Sequence, residues 1–184
     1  MVRTATPPGE IGHRAPDFSL KGTDGKTWTR DTVRGDNGLV VAFICNHCPY
    51  VKAVIDRFVE DSAALQAKGV GVVAIMPNDW NVYTDDAPDR MVAFAVGHGF
   101  TFPYLIDETQ DVARAYGAVC TPDVFGYGRD LTLKYRGRID SSGREPSGPD
   151  TRRELREAMI EVAENDTVPA GQQASIGCSI KWRS

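Results

Sequence analysis

"GLVVAFICNHCPYVKAVIDRF", residues 38 to 58, changes its period halfway along. Gly38 to Ile44 is an unbroken apolar run rich in β-branched residues, and continuous rather than alternating apolarity suits a strand covered on both faces of a sheet. From Pro49 onward Val51, Val54, Ile55, Phe58, Val59 and Leu65 recur at helical spacing until Gly69 stops the pattern. "VGVVAIM", Val70 to Met76, is then a second apolar strand. Strand, helix, strand over 38 to 76 connects right-handedly into a parallel pair, so the chain is an α/β protein.

Working outward, "DFSL" and "KTWT" flank the turn "GTDG" and predict a β-hairpin over 17 to 29, with Asp24-Gly25 supplying the turn chemistry. After "MPNDWNVYTDDAPDRM" a helix is expected, capped by Asp85 or Asp86, with Pro88 in its first turn and its end at Gly97 or Gly99. "FPYLID" reads as a short strand and "TQDVARAYG" as a short helix. "TPDVFGYG" and "LTLKYRGRID" predict antiparallel strands turning at Gly128-Arg129-Asp130. Thr151 with Glu154 has the spacing of a capping box for a last helix, in which Leu155, Ala158, Met159 and Val162 form the apolar face. The expected organisation is one domain over residues 1 to 164, with residues 165 to 184 as an aperiodic tail packing on or near it.

The bulk composition narrows the function classes. The 184 residues are 41% hydrophobic and 25% charged with a net charge of −4, ordinary globular material with acids and bases interspersed. No basic face recommends nucleic acid or an anionic membrane. The N-terminal "MVRTATPPGEIGHRAPDF" has no apolar signal core, and no stretch approaches the roughly 20 apolar residues of a membrane span, so the expected address is cytoplasmic. Four cysteines are too few for a disulfide scaffold, and structural disulfides are rare in a reducing compartment. Cys45 and Cys48 therefore ask for a chemical explanation.

They fall where the apolar strand gives way to the helix, at the carboxyl edge of a parallel sheet, where open α/β folds place their sites. A helix start offers unpaired N–H groups and a positive dipole end, which favour a thiolate and lead us to expect a lowered pKa and nucleophilic character at Cys45. Cys48 is then the resolving thiol, one turn deeper, and His47 adds an imidazole as further support for the thiolate. A zinc site needs four ligands, and Cys120 and Cys178 do not form a second Cys-x-x-Cys; haem attachment needs His after the second cysteine, where Pro49 stands. Neither metal nor other cofactor is expected. His13 and His98 are assigned no role.

The chain resembles the thioredoxin superfamily in its Cys-x-x-Cys between strand and helix and in the later "TPD" ahead of a two-stranded unit and terminal helix. "APDFSLKGTDGKTW" is similar to the opening of peroxiredoxins and bacterial thiol-disulfide reductases. "FICNHCPYVK", "DETQDVARAYGAVCTPDVF", "YRGRID" and "IGCSIKW" resemble bacterial peroxiredoxin-like, AhpC/TSA-related proteins of thioredoxin-like fold. The resemblance implies a central mixed sheet flanked by helices, an N-terminal β-hairpin and an irregular C-terminal tail. It also implies that Pro122 is a cis-proline and that Thr121 docks an extended substrate by its backbone. Two departures qualify it. Val41 and Cys45 stand where a peroxiredoxin carries Pro and Thr, and Leu39 stands where thioredoxins bury an Asp, which leaves Asp79 as the candidate proton shuttle.

The expected function is thiol-disulfide exchange on protein or small-molecule disulfides, with re-reduction by an unidentified thiol. Alternatives are a thiol peroxidase and a non-catalytic redox-sensing module. Cys120, two residues before Pro122, and Cys178, in the tail with Trp182 as an anchor, are candidate auxiliary redox thiols, Cys178 being expected to reach Cys120 or Cys45.

Overall fold

The computed structural model describes residues 2–183. Its strands are β1 (Arg3–Ala5), β2 (Ser19–Gly22), β3 (Thr27–Thr29), β4 (Gly38–Phe43), β5 (Val70–Met76), β6 (Tyr104–Ile106), β7 (Cys120–Thr121), β8 (Asp123–Tyr127), β9 (Leu133–Arg136) and β10 (Ile176–Ser179). The helices are α1 (Arg30–Val33), α2 (Pro49–Gln66), α3 (Pro88–Gly97), α4 (Asp111–Tyr116) and α5 (Glu154–Asn165). Seven strands form a mixed sheet in the order β3-β2-β6-β5-β4-β8-β9, with β4 parallel to β5 and antiparallel to β8. This is the thioredoxin-like arrangement expected from the sequence.

The all-apolar β4 needs two cores, and it has them. Val40 and Ala42 join Ile44 on one face, beneath Val51, Val54, Ile55 and Phe58 of α2 and Leu155, Met159 and Val162 of α5. Leu39, Val41 and Phe43 alternate onto the other, against Val33 of α1, Ala113 and Tyr116 of α4, and Phe18. Each large side chain so buried contributes on the order of 1.5–3 kcal/mol of transfer free energy. Pro49 occupies the first position of α2, where its missing N–H costs no helical bond. Gly69, at φ +76°, turns the chain into β5. The hairpin also forms as expected, β2 pairing with β3 while Asp24 Oδ1 accepts the Lys26 N–H at 3.0 Å.

Three local expectations fail, two of them because tertiary contacts take the capping groups. Ala87 rather than Asp85 or Asp86 caps α3, and Asp86 turns inward. Arg153 caps α5, while the Thr151 hydroxyl bonds Ser142 and Gly148 instead of closing a capping box. Arg153 also reaches Asp61 of α2, with 2.9 Å between Nη2 and Oδ1. The third concerns the tail, which is not irregular throughout. Its residues Ile176–Ser179 form β10, inserted between β1 and β7 in a separate three-stranded antiparallel sheet. Beyond β10 the chain is stapled by Lys181 N to Asn78 Oδ1 at 2.9 Å and Arg183 N to Gln110 Oε1 at 2.8 Å. Trp182 anchors it as well, under the Arg114 guanidinium at 4.3 Å. Among the described residues no helix is long and apolar enough to cross a membrane.

Candidate active site

Cys45 and Cys48 sit in the five-residue link between β4 and α2, and both have no exposed surface. The open nucleophile that the expected role of Cys45 requires is therefore not what the fold provides. Cys48 is the N-cap of α2, not a residue inside it, so the helix start lies at Cys48 and Cys45 stands a full link before it. The peptide bond between Thr121 and Pro122 is cis. Thr121 touches both sulfurs: its hydroxyl is 3.3 Å from Cys45 Sγ, and its carbonyl oxygen lies 3.2 Å from Cys48 Sγ, accepting from it when that thiol is protonated.

The ionisation of the pair follows from these positions. Cys48 receives hydrogen bonds from the Cys45 thiol, the Cys178 thiol and the amides of Val51 and Cys178, and the first of these does most to bring it down to about 5 against the opposing effect of burial. Cys45 is pushed well up, first by burial, then by the hydrogen bond to Cys48 and by the Asp86 carboxylate. One proton is shared, and it stays on Cys45. The thiolate thus belongs to Cys48, whereas sequence position alone placed it on Cys45.

The two residues between the cysteines are fastened by Asp86, which the sequence reading treated only as a helix cap. Its Oδ1 accepts the amide of Asn46 at 2.8 Å and that of His47 at 3.3 Å; its Oδ2 meets His47 Nδ1 at 2.7 Å and Asn78 Nδ2 at 2.9 Å. The His47 ring stacks on Tyr83 at 5.6 Å, and Asn46 Oδ1 accepts from Tyr104 at 3.0 Å. Asp79 is engaged elsewhere, accepting from the Asn81 amide and pairing with Arg183 at 3.4 Å, so the carboxylate beside the dithiol is Asp86. Leu39 lies in the opposite core from the two cysteines. Cys45, His47 and Asp86 each offer one ligand atom within 4.8 Å of the others. An ion there would have to replace the His47–Asp86 bond.

The remaining thiols divide. Cys120 is buried with its sulfur 3.6 Å from the Pro122 carbonyl, and burial raises its pKa far above the thiol range. Cys178 meets neither Cys120 nor Cys45 but Cys48, Sγ to Sγ 2.9 Å. Thr121, expected to dock a substrate strand, already pairs with Cys178 of β10. Beside Pro122 and Tyr50 opens a cleft of about 370 Å³ whose rim carries Arg3, Arg138 and Arg144.

Comparison with known proteins fits this architecture. Residues 11–139 match the model of the AhpC/TSA family. The fold is similar to that of an uncharacterized conserved protein of Geobacillus kaustophilus, 42% identical, TM-score 0.94, covering 100% of this chain and 97% of that one. A Mycobacterium tuberculosis protein that carries a peroxiredoxin name is 25% identical over 133 residues, 72% of this chain and 80% of its own length. At 18% identity and TM-score 0.63, a thioredoxin-family thiol:disulfide interchange protein of Chlorobium tepidum shares the fold over 85% of this chain and 99% of its own.

Proposed function

The chain belongs to the AhpC/TSA family, and from that premise we propose that it is a thiol-disulfide oxidoreductase whose working pair is Cys45 and Cys48. The observation that carries the reading is the single environment of the two sulfurs. Both lean on Thr121, one through its hydroxyl and one through its carbonyl, while the charge is held on one and the proton on the other. A thiolate attacks a substrate disulfide to give a mixed disulfide, and a neighbouring thiol attacks that to release the second substrate thiol and leave Cys45 and Cys48 joined. Cys48 opens the exchange because it is the thiolate, and Cys45 closes it, the reverse of the order that sequence position suggests.

Asp86 and His47 hold the link rigid so that the two sulfurs keep this relation. The cleft beside Tyr50 and Pro122 is the approach for a substrate; its lining is of mixed charge, Arg3 and Arg144 against Asp140 and Glu145, with Arg138 already paired to Glu154. An external thiol then reduces the protein pair.

A second reading, thiol peroxidase, is favoured by the family and by the lowered Cys48. Val41 and Cys45, in place of the Pro and Thr that would activate a peroxide, argue against it. Stoichiometric reaction with a chromogenic aromatic disulfide decides between them. Wild type should release both substrate thiols and, in its first product, lose Cys45 and Cys48 to alkylation; Cys45→Ser/Cys178→Ser, which leaves no thiol beside Cys48, should trap substrate on Cys48, and Cys48→Ser should be inert. Hydrogen peroxide consumed faster than the disulfide, with full activity in Cys45→Ser, overturns the reading in favour of the peroxidase.

A further inference from the structure

β7 leads straight into the cis peptide bond at Pro122, and the chain's own tail pairs along it. β10 runs antiparallel to β7 with Cys178 opposite Thr121 and Ser179 opposite Cys120. The fit depends on Gly177: a Cβ there would lie 2.1 Å from the Thr121 carbonyl oxygen and 2.6 Å from its carbon. Two backbones approach this closely only where no side chain intervenes. The result is a strand seated on the residue that touches both sulfurs, with a sulfur of its own delivered to the dithiol. Cys178 Sγ is 2.9 Å from Cys48 Sγ, nearer than any packing role requires.

From this geometry we propose that Cys178 is a third thiol of the catalytic cycle, which takes over the disulfide from Cys45 by forming a Cys48–Cys178 bond. The inference rests on the oxidoreductase reading and adds a step to it. Substrate reduction leaves the Cys45–Cys48 disulfide. The sulfur of Cys178 attacks the sulfur of Cys48; the Cys48–Cys178 bond forms, the Cys45–Cys48 bond breaks, and the proton of Cys178 goes to the departing Cys45 sulfur. No electrons enter or leave the protein. Two equivalents of an external thiol then reduce the Cys48–Cys178 disulfide, becoming a disulfide themselves.

The attacking sulfur becomes more reactive when it is needed. In the reduced protein Cys178 is pushed up to about 12 by burial, by its hydrogen bond to Cys48 and by the Cys48 charge, with Lys181 opposing. Once Cys48 is in a disulfide, its charge and that hydrogen bond are gone and the Lys181 cation remains. Cys45, pushed well up by burial and by Asp86, is a poor leaving group as a thiolate, and the proton passed to it from Cys178 offsets this.

The experiment uses the full-length chain and maps disulfides under non-reducing conditions. Reduced Cys45→Ser treated with one equivalent of diamide should link the tryptic peptide ending at Lys52 to the one ending at Lys181. In wild type quenched with acid after a pulse of disulfide substrate, the Cys45–Cys48 link should come first and the Cys48–Cys178 link second. In Cys178→Ser the Cys45–Cys48 link should persist with no second link following it, and re-reduction by an external dithiol should slow by about tenfold, roughly 1.4 kcal/mol. Substrate reduction that proceeds normally with no Cys48–Cys178 link in either protein overturns this inference alone. Failure of wild type and Cys178→Ser to reduce any disulfide overturns the oxidoreductase reading and this step with it.

Discussion

Asp86 Oδ2 lies 2.7 Å from Nδ1 of His47, and through that contact a residue on the far side of a loop fixes the link between the two cysteines. The same carboxylate takes the backbone amides of Asn46 and His47, so it holds both intervening residues at once. It has no exposed surface, and a buried carboxylate is tolerable only when its lone pairs are filled in this way.

Replacing Asp86 with Asn keeps the shape but turns a donor toward Asn78 Nδ2, removing an acceptor that buried donors depend on. Loss of about 1–3 kcal/mol in urea unfolding is expected, the cost of leaving such a group unmatched. The Cys45 thiol should also titrate lower, since the carboxylate that repels its thiolate is gone. Burial raises the pKa of Asp86, but the hydrogen bonds from His47 and Asn78 outweigh it and the carboxyl ends lowered. Its contribution to stability is therefore present above the ordinary Asp value and lost as pH falls through the lower folded one. A variant with unchanged stability and an unchanged thiol titration would sink this account.

The reduced wild-type protein should show thiolate ultraviolet absorbance with a midpoint at about pH 5, set by Cys48. Cys48→Ser removes that transition, and Cys45→Ala moves it upward by taking away its largest cause, the Cys45 hydrogen bond. The folded value is depressed, so ionisation of Cys48 stabilises the reduced fold above the ordinary thiol value of 9.0 and loses that contribution as pH falls through about 5. A low transition that survives in Cys48→Ser and vanishes in Cys45→Ala would return the thiolate to Cys45.

Asp123, directly after Pro122, is bidentate with Arg136, 3.2 Å to Nε and 2.9 Å to Nη2, and Arg136 also donates to the Gly117 carbonyl at 2.9 Å. The pair clamps the cis-proline loop to β9 from below. Arg136→Met strands a carboxylate with no exposure and should cost about 3–5 kcal/mol in chemical unfolding, with part of the loss recovered in the double variant Asp123→Leu/Arg136→Met. A single-variant loss below about 1 kcal/mol is incompatible with the clamp.

What could be read from the sequence and what could not divides along the range of the interactions. β4 and β5 and the face of α2 were legible because Val40, Val72 and Ile55 state their burial in their own spacing. β10 was not: Ile176-Gly177-Cys178-Ser179 has little strand propensity, and it is ordered by β1 and β7, which are far away in sequence. Asp86 obeyed a local rule, an acid ahead of a helical Pro88, and a more distant demand overrode it. The cysteine pair announced itself by spacing. The distribution of charge within it depends on Cys178, some 130 residues on, and no motif carries that.

Gly177→Ala tests whether the tail guards the site. The added Cβ would meet Thr121 backbone at 2.1 Å, and backbone in a cis-proline loop clamped by Asp123 and Arg136 cannot swing aside as a side chain would. The strand must therefore lift from β7, while the Asn78 and Gln110 staples still hold residues 181 and 183. Lifting removes the Cys178 hydrogen bond from Cys48, which raises the Cys48 pKa, and it uncovers the sulfur, which speeds its reaction. Uncovering should dominate near neutral pH, because the Cys45 hydrogen bond, the largest cause of the lowered Cys48, is left in place while burial no longer limits access of the reagent to the sulfur. Carbamidomethylation of Cys48, followed by mass spectrometry, should quicken by about tenfold or more, against little change for Ile176→Ala on the exposed side of the same strand. Equal rates in Gly177→Ala and wild type would mean that the reagent reaches Cys48 by another path, and that β10 is a brace for the fold with no part in admitting substrate.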